Sequence, residues 1–400
     1  MMNQIKGGKK MFNYSTEELE KLGAIHTTLE IKQQPKVWLE AFDNFMAQKS
    51  EIEAFLAKVK ASTTDRVRVI FTGAGTSCYV GDTITPYLNR QGDSDFTYES
   101  IATTDIVGSP LDYLRPDDLT ILVSFARSGN SPESVAAVEI ANQVVKNIRH
   151  ISITCAKEGL LAKAAENDEH NLLLLQPEAS LDLGFAMTSS FSCMMLTALL
   201  VFDTATDANK QLYVKTMATM AEDIINRECE IADIINRDFN RIIYLGTGAL
   251  AGLTREAQLK VLELTAGQVA TIFDSSLGFR HGPKSFINDK TLVFDFVNND
   301  DYSRQYDLDI LNEMDQDGIA NSVIAIAQPK VGQDFSGETI EFEKGLPLLP
   351  EAYCAFPCIV VAQTVSLLAS LKVGNTPDTP SATGTVNRVV QGVTIHSFDN

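Results

Sequence analysis

The sequence predicts an α/β protein of two tandem modules, each a mainly parallel sheet flanked by helices, with helices before them and an extended tail after. Three observations carry this. Apolar runs of strand length alternate with helical segments from Arg66 to Cys155. A Gly-x-Gly turn twice follows an apolar strand, at Gly73-Ala74-Gly75 and Gly246-Thr247-Gly248, 173 residues apart. The length, 400 residues, exceeds one ordinary domain and allows each module its own core.

Residues 15–60 have a helical pattern. Ser15-Thr16-Glu17-Glu18 has the form of a capping box, with Ser15 as the cap and Glu18 three residues on. A second amphipathic stretch runs from Pro35 through Trp38, Leu39, Phe42 and Phe45 toward Phe55. The first module opens with Val67-Arg68-Val69-Ile70-Phe71, then GAGTS and a helical segment. Further strands are expected near Thr97–Ile101, at Leu119–Phe125 and at His150–Cys155, with a helix from Pro132 to about Val145. The apolar segment Ser190–Val201 reads as another covering helix. The second module repeats the grammar: Arg241–Leu245, the second Gly-x-Gly, strands at Thr291–Phe296 and Ser322–Ala327, and a helical apolar segment over 353–371. The tail, 373–400, is polar and extended in pattern.

Composition narrows the function. A hydrophobic share of 44% with 21% charged residues belongs to a globular chain, not a disordered one. A net charge of −19 argues against a nucleic-acid partner, because a phosphate backbone needs a matching basic surface. It does not exclude a small anion held by local N–H groups. Apolar stretches such as Ile359-Val360-Val361-Ala362 fall short of the ~20 residues a membrane span needs, and the basic start MMNQIKGGKK has no apolar run behind it as a signal peptide would. No membrane partner is expected. The six cysteines lack paired spacing; Cys354 and Cys358 lie close, but in an apolar segment that favours buried thiols. The five histidines are far apart, so no metal site is expected and the compartment expected is the reducing cytoplasm.

The chemistry gathers in two turns. Strand ends at one edge of a parallel sheet bring their loops together. Gly73-Ala74-Gly75-Thr76-Ser77 and Ser128-Gly129-Asn130-Ser131 each open a helix and offer backbone N–H groups, hydroxyls and a positive dipole end. Either loop alone is ordinary turn chemistry. Together they describe a site for a phosphate monoester, with Arg127 placed to add a charge-assisted contact. A dinucleotide site is the rival, but neither copy has the GxGxxG spacing. The second copy follows its Gly-x-Gly with Ala249 and Leu250, and Ala327-Gln328-Pro329-Lys330 has no hydroxyl cluster, so it reads as the structural partner or the donor of other groups.

The segment KVLELTAGQVATIFDSSLGFRHGPK, 260–284, supplies candidates for catalysis. Glu263 interrupts an apolar helical pattern, and a half-buried carboxylate suits proton transfer from carbon. His281-Gly282-Pro283 is a tight turn that fixes one histidine.

GAGTS at 73–77, SGNSPES at 128–134 and the Glu263…Arg280-His281-Gly282-Pro283 segment together resemble the sugar isomerase (SIS) domain family. The duplicated arrangement is similar to the isomerase half of glucosamine-6-phosphate synthase over roughly residues 30 to 400. SFARSGNSPES and DSSLGFRHGPKS resemble the bacterial subfamily of tagatose-6-phosphate ketose/aldose isomerases, also viewed as galactosamine-6-phosphate deaminases. The resemblance implies tandem SIS domains of flavodoxin-like type, with boundaries at 1–50 (helical segment), 51–215 (phosphate-binding), 216–372 and 373–400 (tail). It implies that Gly75, Thr76, Ser77, Ser128 and Ser131 surround a sugar phosphate, with Thr188 and Ser189 near the sugar hydroxyls. Glu263 would move a proton between C2 and C1. His281 would assist ring opening, in a neighbouring subunit's site, within a homodimer or larger homo-oligomer.

Three departures from the synthase matter. Its SQSGET is here Ala126-Arg127-Ser128-Gly129-Asn130-Ser131, so one hydroxyl is lost at Ala126 and a guanidinium gained at Arg127. The spacing from Glu263 to His281 is longer. The lysine that forms its Schiff base appears as Gln391, and its glutamine-hydrolysing domain is missing. Without an internal ammonia source or that lysine, the expected direction is ammonia release: galactosamine 6-phosphate and water to tagatose 6-phosphate and ammonia, in amino sugar catabolism, with no metal or other cofactor. The alternatives are aldose–ketose isomerisation of a sugar phosphate and a non-catalytic sugar-phosphate sensor.

Overall fold

The computed structural model describes residues 10–390 and 392–398. Its packing divides into two compact units. One comprises Lys36–Asp182, Ser189–Gln211 and the tail from Val386; the other comprises the chain up to Pro35, Leu183–Thr188 and Leu212–Thr385.

The capping box forms. Ser15 Oγ accepts from the Glu18 N–H, the Glu18 carboxylate accepts from the Ser15 N–H, and helix α1 (Thr16–Leu22) follows. Helix α2 runs unbroken from Ile25 to Lys60, so Pro35 lies inside it rather than at its start. The Ile31 carbonyl, which a proline ring cannot serve, accepts instead from Gln34 Nε2 at 3.3 Å.

The first sheet has five strands in the order β2-β1-β3-β4-β5, all neighbours parallel: β1 Val67–Thr72, β2 Phe96–Ser100, β3 Thr120–Ala126, β4 Ile148–Thr154 and β5 Asn171–Leu175. Between them run α3 (Thr76–Gln91), the short α4 (Thr103–Gly108) and α5 (Pro110–Tyr113), α6 (Pro132–Val144) and α7 (Leu160–Ala165). Helix α8 (Ser189–Phe202) is buried along nearly its whole length, as its mainly apolar sequence, SSFSCMMLTALLVF, demands. One face of the sheet packs Ile70 and Leu122 on Ala137, Ile140 and Val144 of α6. The other carries an aromatic cluster in which Phe71 stacks on Phe125 and meets Phe202 edge-on.

After α9 (Asp207–Asn226) and α10 (Glu228–Ile235) the second sheet repeats the first. Its strands are β6 Arg241–Gly246, β7 Ala270–Ser275, β8 Thr291–Phe296, β9 Ser322–Ala327 and β10 Glu338–Glu341, in the order β10-β9-β8-β6-β7. Read from β7, this is the topology of the first sheet, strand for strand. Helix α11 (Ala249–Leu264) follows β6 as α3 follows β1, and α12 (Asp301–Asp317) follows β8 as α6 follows β3. The aromatics repeat as well: Tyr244 stacks between Phe294 and Phe296. The duplication expected from the Gly-x-Gly repeat is therefore present at the level of topology.

Two expectations change. The counterpart of the Ser128–Ser131 turn is not Ala327–Lys330, which follows β9, but the turn Val297–Asp300 after β8. The segment over 353–371 belongs to α13 (Glu351–Lys372), 22 residues long with mean hydropathy 1.9 over its most apolar window, enough to cross a membrane by length and composition. Counting unbroken apolar runs missed this. Yet 94% of that window is buried inside the protein, packed on α11 and α10, as a core helix would be.

Candidate functional site

In the first sheet the chain leaves β1 for β2 on one side, while β3 lies on the other, so the loops after β1 and β3 flank the point where the strand order reverses. Ligands of open parallel sheets bind there. The first loop turns at Gly75, φ 55° and ψ −126°, a backbone open only to glycine, and α3 begins at once. A Cβ on Gly73 would lie 2.5 Å from Ser77, so this turn presses on its own helix, whereas nothing lies within 4 Å of the place a Gly75 Cβ would take. Thr76 and Ser77 are buried at the first turn of α3.

The second loop is held from outside. Gly129, φ 67°, accepts through its carbonyl from the Leu161 N–H, and Asn130 Oδ1 accepts from the Leu160 N–H at 3.0 Å. Ser128 and Ser131 are half-buried. Ser131 is the N-cap of α6, but its hydroxyl makes no cap hydrogen bond. Arg127 is 7% exposed, and its Nη2 donates to the Arg388 carbonyl of the tail at 2.7 Å. Thr76, Ser77, Ser128 and Ser131 thus stand on adjacent loops, and Arg127 lies behind them with a tail contact that sequence reasoning did not foresee.

Thr188 and Ser189, at the start of α8, are both fully buried. The Asp182 carboxylate caps this helix, accepting from the N–H of Ser189 at 3.1 Å and of Ser190 at 2.9 Å. The Arg388 guanidinium donates to the Asp182 carbonyl.

In the other unit, α11 aligns Glu256, Lys260 and Glu263 on one face, at intervals of four and three residues. Lys260 is 1% exposed and Glu256 is fully buried, while the Glu263 side chain keeps 23% exposure. The Lys260 ammonium lies 2.5 Å from Glu263 Oε2 and 3.4 Å from Glu256 Oε1. Burial alone would lower the lysine, but the two carboxylates outweigh it and raise it above its ordinary value. A charged ammonium is therefore sealed behind the Glu263 carboxylate, which alone of the three reaches outward. Glu256 and Lys260 were missed in the sequence; the signal was there in two charges spaced from Glu263 on an otherwise apolar helix face.

His281 lies between two short 3-10 turns, Gly278–Arg280 and Pro283–Phe286. Its N–H donates to the Gly278 carbonyl at 2.9 Å, and Gly282 follows at φ 126°. The ring is exposed and no hydrogen bond joins it to Glu263 among the described residues. Gln391 lies outside the described residues. No cluster of three or more His, Cys, Asp or Glu side chains among the described residues is arranged to hold a metal ion.

Comparison with known proteins finds relatives over nearly the whole chain. The SIS domain model matches residues 64–202. D-galactosamine-6-phosphate deaminase AgaS from Escherichia coli is 45% identical over 374 residues, 93% of this chain and 96% of that protein. D-galactosamine-6-phosphate deaminase AgaS from Shewanella sp. (strain ANA-3) is 39% identical over 388 residues, 96% of this chain and 95% of that protein. Among solved structures, the tagatose-6-phosphate ketose/aldose isomerase from Escherichia coli superposes with a TM-score of 0.84 at 40% identity, covering 93% of this chain and 97% of that one.

Proposed function

Because this chain belongs to the SIS domain family, we propose that it is a sugar-phosphate deaminating isomerase, converting galactosamine 6-phosphate and water to tagatose 6-phosphate and ammonia. The phosphate sits in the cradle of Gly75, Thr76, Ser77, Ser128 and Ser131, in the module spanning 51–215, with Arg127 adding charge and Thr188 and Ser189 close to the sugar hydroxyls. The module spanning 216–372 supplies the acid–base groups.

His281 assists opening of the ring to the C1 aldehyde. That carbonyl acidifies the C2 proton, which Glu263 removes to give an enolamine. Returning the proton to C1 yields a C1 hydroxymethyl group and a C2 imine; water adds at C2 and ammonia leaves, giving the 6-phosphoketose. Glu263 suits the transfer because it is partly exposed at the front and held by a buried ammonium at the back, which fixes its direction. That observation carries the proton-transfer reading. The identity of the sugar rests on the likeness to the named deaminases over nearly the whole chain.

The hydrolytic C–N cleavage, a cytoplasmic place in the catabolism of N-acetylgalactosamine and a homo-oligomeric state are parts of the same proposal. The exposed His281 ring and the exposed edge strand β7, with Phe273 41% accessible, support a subunit contact that carries His281 to a neighbouring site. A second reaction, aldose–ketose isomerisation, is favoured by the likeness to the tagatose-6-phosphate isomerase and would use the same proton shift.

The test is an assay of ammonia and ketose phosphate in parallel, with galactosamine 6-phosphate, glucosamine 6-phosphate and their N-acetyl forms. Equal amounts of both products from the galacto sugar alone are expected. Ketose interconversion without ammonia would replace deamination by isomerisation.

A further inference from the structure

The His281 ring has no hydrogen-bond partner among the described residues, so its placement depends on the backbone that carries it. That backbone is a ten-residue turn between Gly278 and Ile287 with only 3-10 structure and a glycine at φ 126°. Short 3-10 turns are weakly self-supporting, with few internal bonds per ordered residue. Something outside the turn must hold it.

Phe279, fully buried in the second module's core, and the Phe286 carbonyl, which accepts from the Arg241 guanidinium, fasten its two flanks, and helix α12 adds a clamp beside His281 itself through one carboxylate. Arg280, immediately before His281, lies with Nε 2.7 Å from Glu313 Oε2. Lys284, three residues after it, binds the other oxygen, Glu313 Oε1, and also lies 2.5 Å from Asp317 Oδ2, one helical turn further along α12. The two cations that bracket the histidine thus converge on a single side chain. Lys284 and then Arg280 hold the Glu313 carboxyl below its ordinary value. A single exposed ion pair contributes little. Here four charges form a network, and both ends of one short turn are tied to the same rigid helix.

We propose that Glu313 is the positioning residue for His281, acting through Arg280 and Lys284 to hold the turn that presents the ring. This inference rests on the reading of His281 as an active-site group. It predicts that Glu313 matters to turnover only as far as His281 does.

A double-mutant cycle tests this. In the full-length protein Glu313→Gln is expected to lower kcat roughly 10-fold with KM within about twofold, since a small misplacement of a reacting group is enough for such a loss. In a His281→Ala background the same substitution is expected to change kcat by less than about twofold. An equal loss in both backgrounds, or no loss in either, overturns the proposal. Arg280→Gln, which cuts the clamp from the other end, should show the same non-additivity and guards against a folding defect peculiar to the first variant.

A second measurement needs no substrate. Hydrogen exchange of the His281 amide, bonded to the Gly278 carbonyl, and of the Ser285 amide, bonded to the Gly282 carbonyl, should quicken at least about 10-fold in Glu313→Gln. Unchanged exchange overturns the positioning role. A wild-type protein that releases no ammonia sinks the deaminase reading alone and leaves the exchange result to decide this one.

Discussion

The two modules share a turn and treat it oppositely. Gly75 and Gly248 have nearly the same backbone, φ 55° and ψ −126° against φ 63° and ψ −128°, each at the head of a helix after the first strand of its module. Beside Gly75 there is open space; beside Gly248, Glu351 Oε2 lies 2.5 Å from where a Cβ would be. That carboxylate, 5% exposed, accepts from Asn298 Nδ2 at 2.6 Å. The pattern repeats at the next loop. Ser131 heads α6 with its hydroxyl unused for capping, whereas Asp300 heads α12 and accepts from the N–H groups of Tyr302 and Ser303. Thr247 and Ser276 both donate their hydroxyls to Asp307, whose other oxygen accepts from the Asn298 N–H at 2.9 Å. A helix start with spare donors favours an anion. In the second module the protein's own carboxylates meet that demand, whereas in the first the space beside Gly75 is open, as the proposed phosphate site requires. A duplicated fold can thus fill one of two equivalent turns from within and leave the space beside the other open.

The comparison can be broken at several points, from the largest effect expected to the smallest. Glu263 stands fifteen residues past Gly248, and Arg90 stands fifteen past Gly75. Glu263→Gln should lower kcat by about 10²–10⁴-fold while sugar phosphate still binds, the range of a lost general base. Arg90→Gln should leave kcat within about twofold, as surface changes away from a site do; single-turnover and binding measurements on both variants decide whether the acid–base role is confined to the second module.

Stability separates the two glycines next. Gly75→Ala and Gly248→Ala each force a side chain into positive φ, for about 1–3 kcal/mol. Gly248→Ala should cost more, because its Cβ also meets Glu351. Urea unfolding of both, with Glu351→Ala added to Gly248→Ala, should show a coupling of about 1 kcal/mol or more; equal losses at the two glycines would mean Glu351 gives way freely.

The hydroxyls should divide by readout. Ser128→Ala is expected to raise KM about 10-fold with little change in kcat, the loss of one hydrogen bond to a charged group. Thr247→Val, its opposite number in kind, should lower stability by about 1 kcal/mol and leave KM alone. A KM effect from Thr247→Val would reopen the second module as a binding site.

The smallest effect concerns pH. Burial pushes the Asp307 carboxyl up to about 6 against the opposing hydrogen bonds of Ser276, Thr247 and Asn298, and burial and then the charge of Asp307 raise Asp295 well above 3.8. Both are raised, so their stabilising share is complete below the ordinary aspartate value and is lost as pH climbs, through about 6 for Asp307. Unfolding free energy followed across that window should fall less steeply in Asp295→Asn than in the wild type. A parallel decline would exclude the pair as its source.

Legibility in the sequence followed burial. The six inner strands, β1, β3 and β4 of one sheet and β6, β8 and β9 of the other, were all expected; five read as largely apolar runs, and β4, IRHISIT, alternates and is buried from His150 on. Of the four edge strands only β2 was expected. β5, β7 and β10 are partly exposed: β5 carries a bare run of four leucines, whereas β7 and the four-residue β10 mix polar, charged and apolar residues without a period. Losing the second module's edges shifted its apparent loop correspondence to Ala327–Lys330. The Gly-x-Gly repeat, by contrast, survived because a positive φ can be met by glycine without strain.

The amino-acid order by itself determined the alternating α/β modules, their duplication, the capping box at Ser15, the hydroxyl-rich turns and Glu263 as the outlying carboxylate of an apolar helix. These are local matters of periodicity, backbone sterics and composition. Tertiary structure alone decided that Lys260 and Glu256 stand behind Glu263, that Glu351 and Asp307 occupy the second module's donors, that Arg127 holds the tail through Arg388, and that Glu313 grips both ends of the His281 turn. Except for the first, each joins residues far apart in the chain. Whether a charge is paired, sealed or left open depends on what folding brings beside it, and no local pattern records that.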